Sequence, residues 1–129
     1  MNLLIVDDEY LVVEEVVTVT DWELLGITEI YSATNAVSAV RILNEKKIDI
    51  MICDIEMPQT DGLELSKKAK ENFPDLEIVM LTSHAEFNYV RNALRYGCYD
   101  YLLKPVMEDD IIKVMKNLVT KIERERHQA

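Results

Sequence analysis

Short apolar runs alternate with amphipathic stretches five times along the chain, and each apolar run stops at a polar or charged residue. Asn2 to Val6 ends at Asp7-Asp8-Glu9 and predicts a buried strand with acids at its carboxyl end. Tyr10 to Thr20 predicts a helix whose Leu11, Val12, Val16 and Val19 share a face, closed by a hydrophobic turn of Trp22, Leu24 and Leu25 before Gly26. Thr28 to Ala33 is a weaker strand. Thr34 or Asn35 caps the next helix, which carries Val37, Val40 and Leu43 on one side and runs to Lys47. Ile48 to Asp54 is the most apolar of the runs and predicts a central strand buried on both faces, with an aspartate as its last residue. A Pro58-Gln59-Thr60-Asp61-Gly62 turn follows, then a helix from Leu63 to Asn72 ended by Pro74. Leu76 to Leu81 is a strand leading into Thr82-Ser83, Ala85 to Tyr96 a helix with Gly97 as its C-cap, Asp100 to Leu103 a strand before Lys104-Pro105, and Glu108 to about Arg126 the last helix.

Strand and helix in strict alternation imply an open parallel sheet covered on both faces, because right-handed crossovers leave few other arrangements. All carboxyl ends of such a sheet share one edge, where this class of fold binds its ligands. Asp7, Asp8, Asp54, Thr82 and Lys104 therefore converge despite their separation in sequence. Three carboxylates at close quarters repel and raise at least one pKa unless a cation compensates. Lys104 supplies one positive charge, and a hard divalent ion would supply two. Mg²⁺ suits an all-oxygen site. The expected ligands are the Asp8 and Asp54 carboxylates and the Glu56 backbone carbonyl, with Asp7 acting through a bound water. The Thr82 hydroxyl is placed either to cap the following helix or to bind a phosphoryl oxygen.

The remaining features narrow the picture. A chain of 129 residues holds one domain with a real core. A formal net charge of −10 argues against nucleic-acid binding by this segment, which would need a basic patch. No apolar run is long enough to span a membrane and no signal peptide is visible, so a cytoplasmic location is expected. The cysteines, Cys53 and Cys98, lack zinc-ligand spacing and read as buried free thiols, Cys53 pointing to the face opposite Asp54. His84 beside Ser83 reads as an incidental loop residue.

With these residues in hand the chain resembles, over essentially its whole length, the receiver domain of bacterial two-component response regulators. The match rests on Asp7-Asp8, on Asp54 followed by Met57-Pro58 and Asp61-Gly62, on Thr82, and on Tyr101 ahead of Lys104-Pro105. The resemblance implies a flavodoxin-like (βα)5 doubly wound sheet of order 2-1-3-4-5, a receiver unit over 1–126 and a tail or linker start at 127–129. It implies that Asp54 takes a phosphoryl group from a sensor histidine kinase with Mg²⁺, assisted by Thr82 and Lys104. Thr82, Tyr101 and Pro105 would act as the switch, and Lys104-Pro105 would be cis. The output face would comprise Val90, Ala93, Tyr101 and the start of the last helix, with a phosphorylation-dependent homodimer as one outcome. Asp21-Trp22-Glu23-Leu24-Leu25-Gly26-Ile27, Ser83 to Tyr89 and Tyr99 to Pro105 further resemble receivers that precede an AraC-type helix-turn-helix domain, which would be the missing C-terminal DNA-binding partner. Ser83 departs from the smaller alanine of many receivers and narrows access to the phosphoryl group. Glu56 stands where an amide or another polar residue is frequent.

Other readings stay open. A phosphorylation-independent interaction module would use the same fold, although all five chemical positions are intact. A metal-dependent phosphatase with an aspartyl nucleophile would place its acids two residues apart on the first strand and carry a substrate cap. A flavodoxin-like cofactor binder would want a Ser/Thr/Gly-rich phosphate loop where this chain has carboxylates.

Overall fold

The computed structural model of the chain describes residues 1–57, 60–83 and 87–128, with side chains described for all of these except 60, 61 and 87–90. Five parallel strands, β1 (Asn2–Val6), β2 (Glu29–Ala33), β3 (Ile50–Asp54), β6 (Glu77–Thr82) and β7 (Asp100–Leu103), form one sheet in the order β2-β1-β3-β6-β7. Numbered among themselves, these strands run 2-1-3-4-5, the order expected of a flavodoxin-like α/β fold. The helices are α1 (Tyr10–Thr18), α2 (Ala36–Glu45), α3 (Gly62–Asn72), α4 (Phe87–Arg95) and α5 (Glu108–Gln128).

Strand alternation divides the interior in two. Leu3, Ile5, Ile50, Ile52, Val79 and Leu81 face one side and pack with α1 and α5, through Val13, Val16, Ile111, Met115 and Leu118. Leu4, Val6, Met51, Cys53, Ile78 and Met80 face the other and pack with α2, α3 and α4. Every residue of β3 and β6 is buried, as a strand in the middle of a covered parallel sheet requires. Each fully buried aliphatic side chain contributes about 1.5–3 kcal/mol relative to exposure. Cys53 and Cys98 are both buried free thiols, and Cys53 lies with the second cluster, as its alternation with Asp54 demands.

Several helix faces and ends differ from expectation. Leu11 is 74% exposed, and the buried face of α1 is built on Val13 and Val16. In α2 the inward residues are Ala39 and Leu43, whereas Val37 and Val40 face solvent. Helix α1 ends at Thr18, and Trp22–Leu25 forms a separate 3-10 turn, capped by Asp21 and closed by Gly26 at φ 89°. The buried Trp22 indole donates from Nε1 to the Val16 carbonyl at 3.1 Å, which ties this turn to α1. Asn35 is the cap of α2, accepting the Ser38 N–H at 2.8 Å, and Gly97 follows α4 at φ 90°, as expected. Helix α2 ends at Glu45 instead of Lys47, and α5 continues to Gln128, so 127 and 128 belong to the helix.

The expected turn after β3 contains a short antiparallel ribbon, β4 (Glu56–Met57) with β5 (Thr60–Asp61). Pro58, Gln59, His84, Ala85, Glu86 and Ala129 lie outside the described residues, as do the side chains of Asp61 and Val90.

Candidate phosphoacceptor site

The site is assembled by the continuation of strand hydrogen bonding beyond the strands themselves. The Asp7 N–H donates to Ala33 O at 3.1 Å, Ile55 N–H to Leu81 O at 2.9 Å, and Lys104 N–H to Thr82 O at 2.9 Å. These bonds carry Asp7, Asp54 and Lys104 onto the carboxyl edge, with Thr82 as the last residue of β6. Asp7, Asp54 and Thr82 are buried, while Asp8 is exposed at the rim.

Lys104 binds two acids at once. Its Nζ lies 2.7 Å from Asp7 Oδ2 and 3.5 Å from Asp54 Oδ1. Backbone amides also hold these carboxylates: Glu9 N–H donates to the other Asp7 oxygen, Oδ1, at 2.9 Å, and Glu56 N–H donates to the same Asp54 Oδ1 that Lys104 approaches, at 3.1 Å. Burial raises the pKa of Asp54, and the charge of Asp7 raises it further, against the opposing pull of the Glu56 amide and Lys104. Burial also works to lower that of Lys104, but the close Asp7 carboxylate and the charge of Asp54 outweigh this and hold the ammonium above its ordinary value. One carboxylate is thus raised, as expected, but by burial more than by the neighbouring acid.

Asp7, Asp8 and Asp54 each offer a carboxylate oxygen, all within 4.8 Å of one another. Among the described residues, Asp7 Oδ2 is the fully buried side-chain oxygen with no well-directed hydrogen bond, its near neighbour Lys104 notwithstanding. Hard oxygen donors with residual negative charge fit Mg²⁺.

The Lys104-Pro105 bond is cis, as expected. Tyr101 is half-buried, opposite Met80 in the β6–β7 register, and packs with the cluster that contains Ala93. The Glu56 side chain is exposed, so its tie to Asp54 runs through the backbone.

One residue of the site reads in the sequence only as part of a turn and of the family pattern. Gly62, the first residue of α3, lies so close to the end of β3 that a Cβ built there would collide with the Asp54 carbonyl oxygen. Its N–H donates to Ile55 O at 3.3 Å. The signal was a glycine closing the segment after Asp54, which reads as a turn former until the approach is seen.

A doubly wound sheet whose carboxyl edge gathers a buried aspartate, acids suited to Mg²⁺ and a bridging lysine is an arrangement suited to phosphorylation. Residues 3–116 match the response regulator receiver domain family, and the chain belongs to it. It is 34% identical over 124 residues to the transcriptional regulatory protein YesN of Bacillus subtilis, covering 96% of this chain and 34% of that protein. The REC domain of AraT, a response regulator from Geobacillus stearothermophilus, superposes with a TM-score of 0.89 at 30% identity, covering 97% of each chain. A two-component transcriptional regulator AraC from Clostridium phytofermentans shares the fold, with a TM-score of 0.86 at 23% identity, covering 100% of this chain and 99% of that one. The chain spans about a third to a half of the length of the curated relatives it matches. Among the described residues no helix is long and apolar enough to cross a membrane.

Proposed function

We propose that Asp54 is the phosphoacceptor of this receiver, taking the phosphoryl group of a phosphohistidine on a sensor histidine kinase or of a small acyl phosphate. The observation that carries this reading is the single ammonium of Lys104 bridging Asp7 and Asp54. An Asp54 carboxylate oxygen attacks phosphorus in line, the P–N bond breaks, and its electrons return to the imidazole. Such transfers need positioning and neutralisation of the phosphoryl oxygens more than covalent help. Lys104 supplies one charge and Thr82 a hydroxyl at the end of the neighbouring strand. Asp8 and Asp54, with the Glu56 carbonyl, would hold Mg²⁺ directly and Asp7 would hold it through water; the ion would supply further charge neutralisation.

The new group carries about −1.5 to −2 charge. It competes with Asp7 for Lys104 and draws Thr82, so the phosphorylated and free states differ in contacts at β6 and β7. Tyr101 is the element that reads this change, turning inward as Thr82 moves. The surface of α4, β7 and α5 then passes it to the output. We assign that output to transcription, through a C-terminal DNA-binding domain of the AraC helix-turn-helix type beyond the receiver unit of 1–126. The resemblance of the Trp22 and Tyr101 segments supports this type, and pairing of two receivers is one route for the signal. A cytoplasmic site of action follows from a kinase donor and a DNA target.

The test is intact mass after incubation with acetyl phosphate and Mg²⁺. The parent should gain one phosphoryl mass only when Mg²⁺ is present, and Asp54→Ala should gain none. Equal labelling of Asp54→Ala would refute the assignment. Asp8→Asn should weaken Mg²⁺ binding more than Asp7→Asn, and unchanged titrations in both would remove the metal site.

A further inference from the structure

Two more acids are buried in the described molecule, at the edge opposite the phosphoacceptor. Asp49 and Glu77 are each 7% exposed. Asp49 immediately precedes β3 and Glu77 opens β6, so they mark the amino ends of the strands that end in Asp54 and Thr82. Buried carboxylates demand cationic or hydrogen-bonding partners. Of the cations nearest Asp49 in sequence, Lys46 lies over the Tyr31 ring.

The charged partners come instead from the end of α5. Arg126 donates to Asp49 Oδ1, across 77 positions of sequence, while Asp49 Oδ2 accepts the Asn2 N–H at 2.7 Å. Lys121 donates to Glu77 Oε1 at 3.1 Å and lies 2.8 Å from Glu125 on its own helix. Lys70 of α3 approaches the same Glu77 oxygen at 3.6 Å. Apolar burial in α5 stops at Ile122, and residues 123–128 are exposed. The hydrophobic seam therefore ends before the helix does, and ion pairs take over.

We propose that Asp49 and Glu77 form an ionic latch that fastens the last turns of α5 to the amino-terminal edge of the sheet. The latch can open while the hydrophobic seam and the phosphoacceptor edge stay assembled. The physical basis is a difference in screening. Arg126 and Lys121 are 50% and 40% exposed, so salt reaches these pairs. It does not weaken the packing of Ile111, Met115 and Leu118, which are fully buried. Asp49 also ties β1 to β3 at this edge, through the Asn2 contact and its own N–H to Asn2 O at 2.9 Å. The latch thus closes onto a rigid corner. This inference rests on the packing of α5 and is independent of the role assigned to Asp54.

The experiment is amide hydrogen exchange, resolved by residue, on the parent chain and on Arg126→Gln, Lys121→Gln and the double variant, at low and at molar NaCl. These substitutions are at half-exposed cations and leave the core intact. Exchange at 122–126 should quicken about tenfold in the double variant, the scale of losing charge-assisted hydrogen bonds. Molar salt should reproduce much of that in the parent and add little to the double variant. Amides at 111–118, and those of 5–8 and 54–57 at the other edge, should change less than about twofold. Asp49→Asn placed on Arg126→Gln should add little, because the two residues act as one pair. Unchanged exchange at 122–126 in the double variant would overturn the latch. So would equal acceleration along the whole of α5 or at the phosphoacceptor edge, which would make the ion pairs part of global stability.

Discussion

Replacing Gly62 by alanine probes how tightly the start of α3 is pressed against the strand that ends in Asp54. The added Cβ would collide with Asp54 O and stand 2.9 Å from both Asp54 C and Ile55 Cα. Non-bonded Cβ contacts essentially never fall below 3.0 Å, so backbone must move against backbone. No flexible side chain can absorb this, because all three nearest atoms are main chain. Overpacking of this kind costs about 1–3 kcal/mol. A misplacement of about 1 Å at a reacting group can cost about 100-fold in rate. Gly62→Ala should therefore lower the urea midpoint and slow the gain of phosphoryl mass from acetyl phosphate by about 100-fold. Gly97→Ala is the control: its φ of 90° strains an alanine, but its Cβ would meet only Lys70 side-chain atoms at 3.5 and 3.8 Å. That variant should lose about 1–2 kcal/mol and keep its labelling rate. If Gly62→Ala labels within twofold of the parent, the claim that this glycine sets the position of Asp54 is wrong.

Three further outcomes can be checked by urea titration across pH. Lys104→Gln leaves Asp7 and Asp54 facing each other without their shared cation; it should lose about 1–3 kcal/mol at neutral pH, less than a fully buried pair because Lys104 is partly exposed. Added Mg²⁺ or lowered pH should restore part of it, and a loss equal at pH 4.5 and 7.5 would refute the charge argument. Asp54→Asn should be more stable than the parent at pH 7: the folded pKa of Asp54 is raised, so ionised Asp54 costs stability above the ordinary carboxylate range, and the difference should close as pH falls below about 4. An Asn variant no more stable at pH 7 would contradict this. Trp22→Phe should cost about 1–3 kcal/mol, because the Val16 carbonyl loses its buried indole donor, and an unchanged midpoint would refute that.

The sheet was legible because a strand covered on both faces must be apolar at consecutive positions, as in Ile50–Cys53, and the site because its residues close those runs. Helix faces were harder. In α2 the apolar period counts Val37 and Val40, but small Ala39 faces the core, and Leu43 supplies the bulk. Size and hydrophobicity compete at such positions, and periodicity sees only the second. In α1, Leu11 falls outside the face set by Val13 and Val16, since Tyr10–Thr18 covers few turns and its phase is fixed by docking. Asp49 and Glu77 fell inside runs read as strands, but nothing local showed what would pair with them, because their partners lie far along the chain or on another helix. The approach of Gly62 to Asp54 likewise depends on where α3 begins in space, which no local pattern encodes.

The neighbours Cys53 and Asp54 also make the molecule a sensor of its own opening. Alternation sends one side chain to the chemical edge and the other into the apolar interior, where burial pushes the Cys53 thiol far above its ordinary pKa; the Cys98 thiol is pushed up to about 11, again chiefly by burial. Thiolate is the reactive form, so burial and the raised pKa slow reaction at both sulfurs at neutral pH while the sheet and its helices stay closed. A disulfide reagent added to the native protein would then report how often each region exposes its cysteine: Cys53 from the centre of the sheet, Cys98 from the approach to β7. The ratio of the two rates would separate whole-domain unfolding from loosening confined to the β7 side, with no residue added to the sequence.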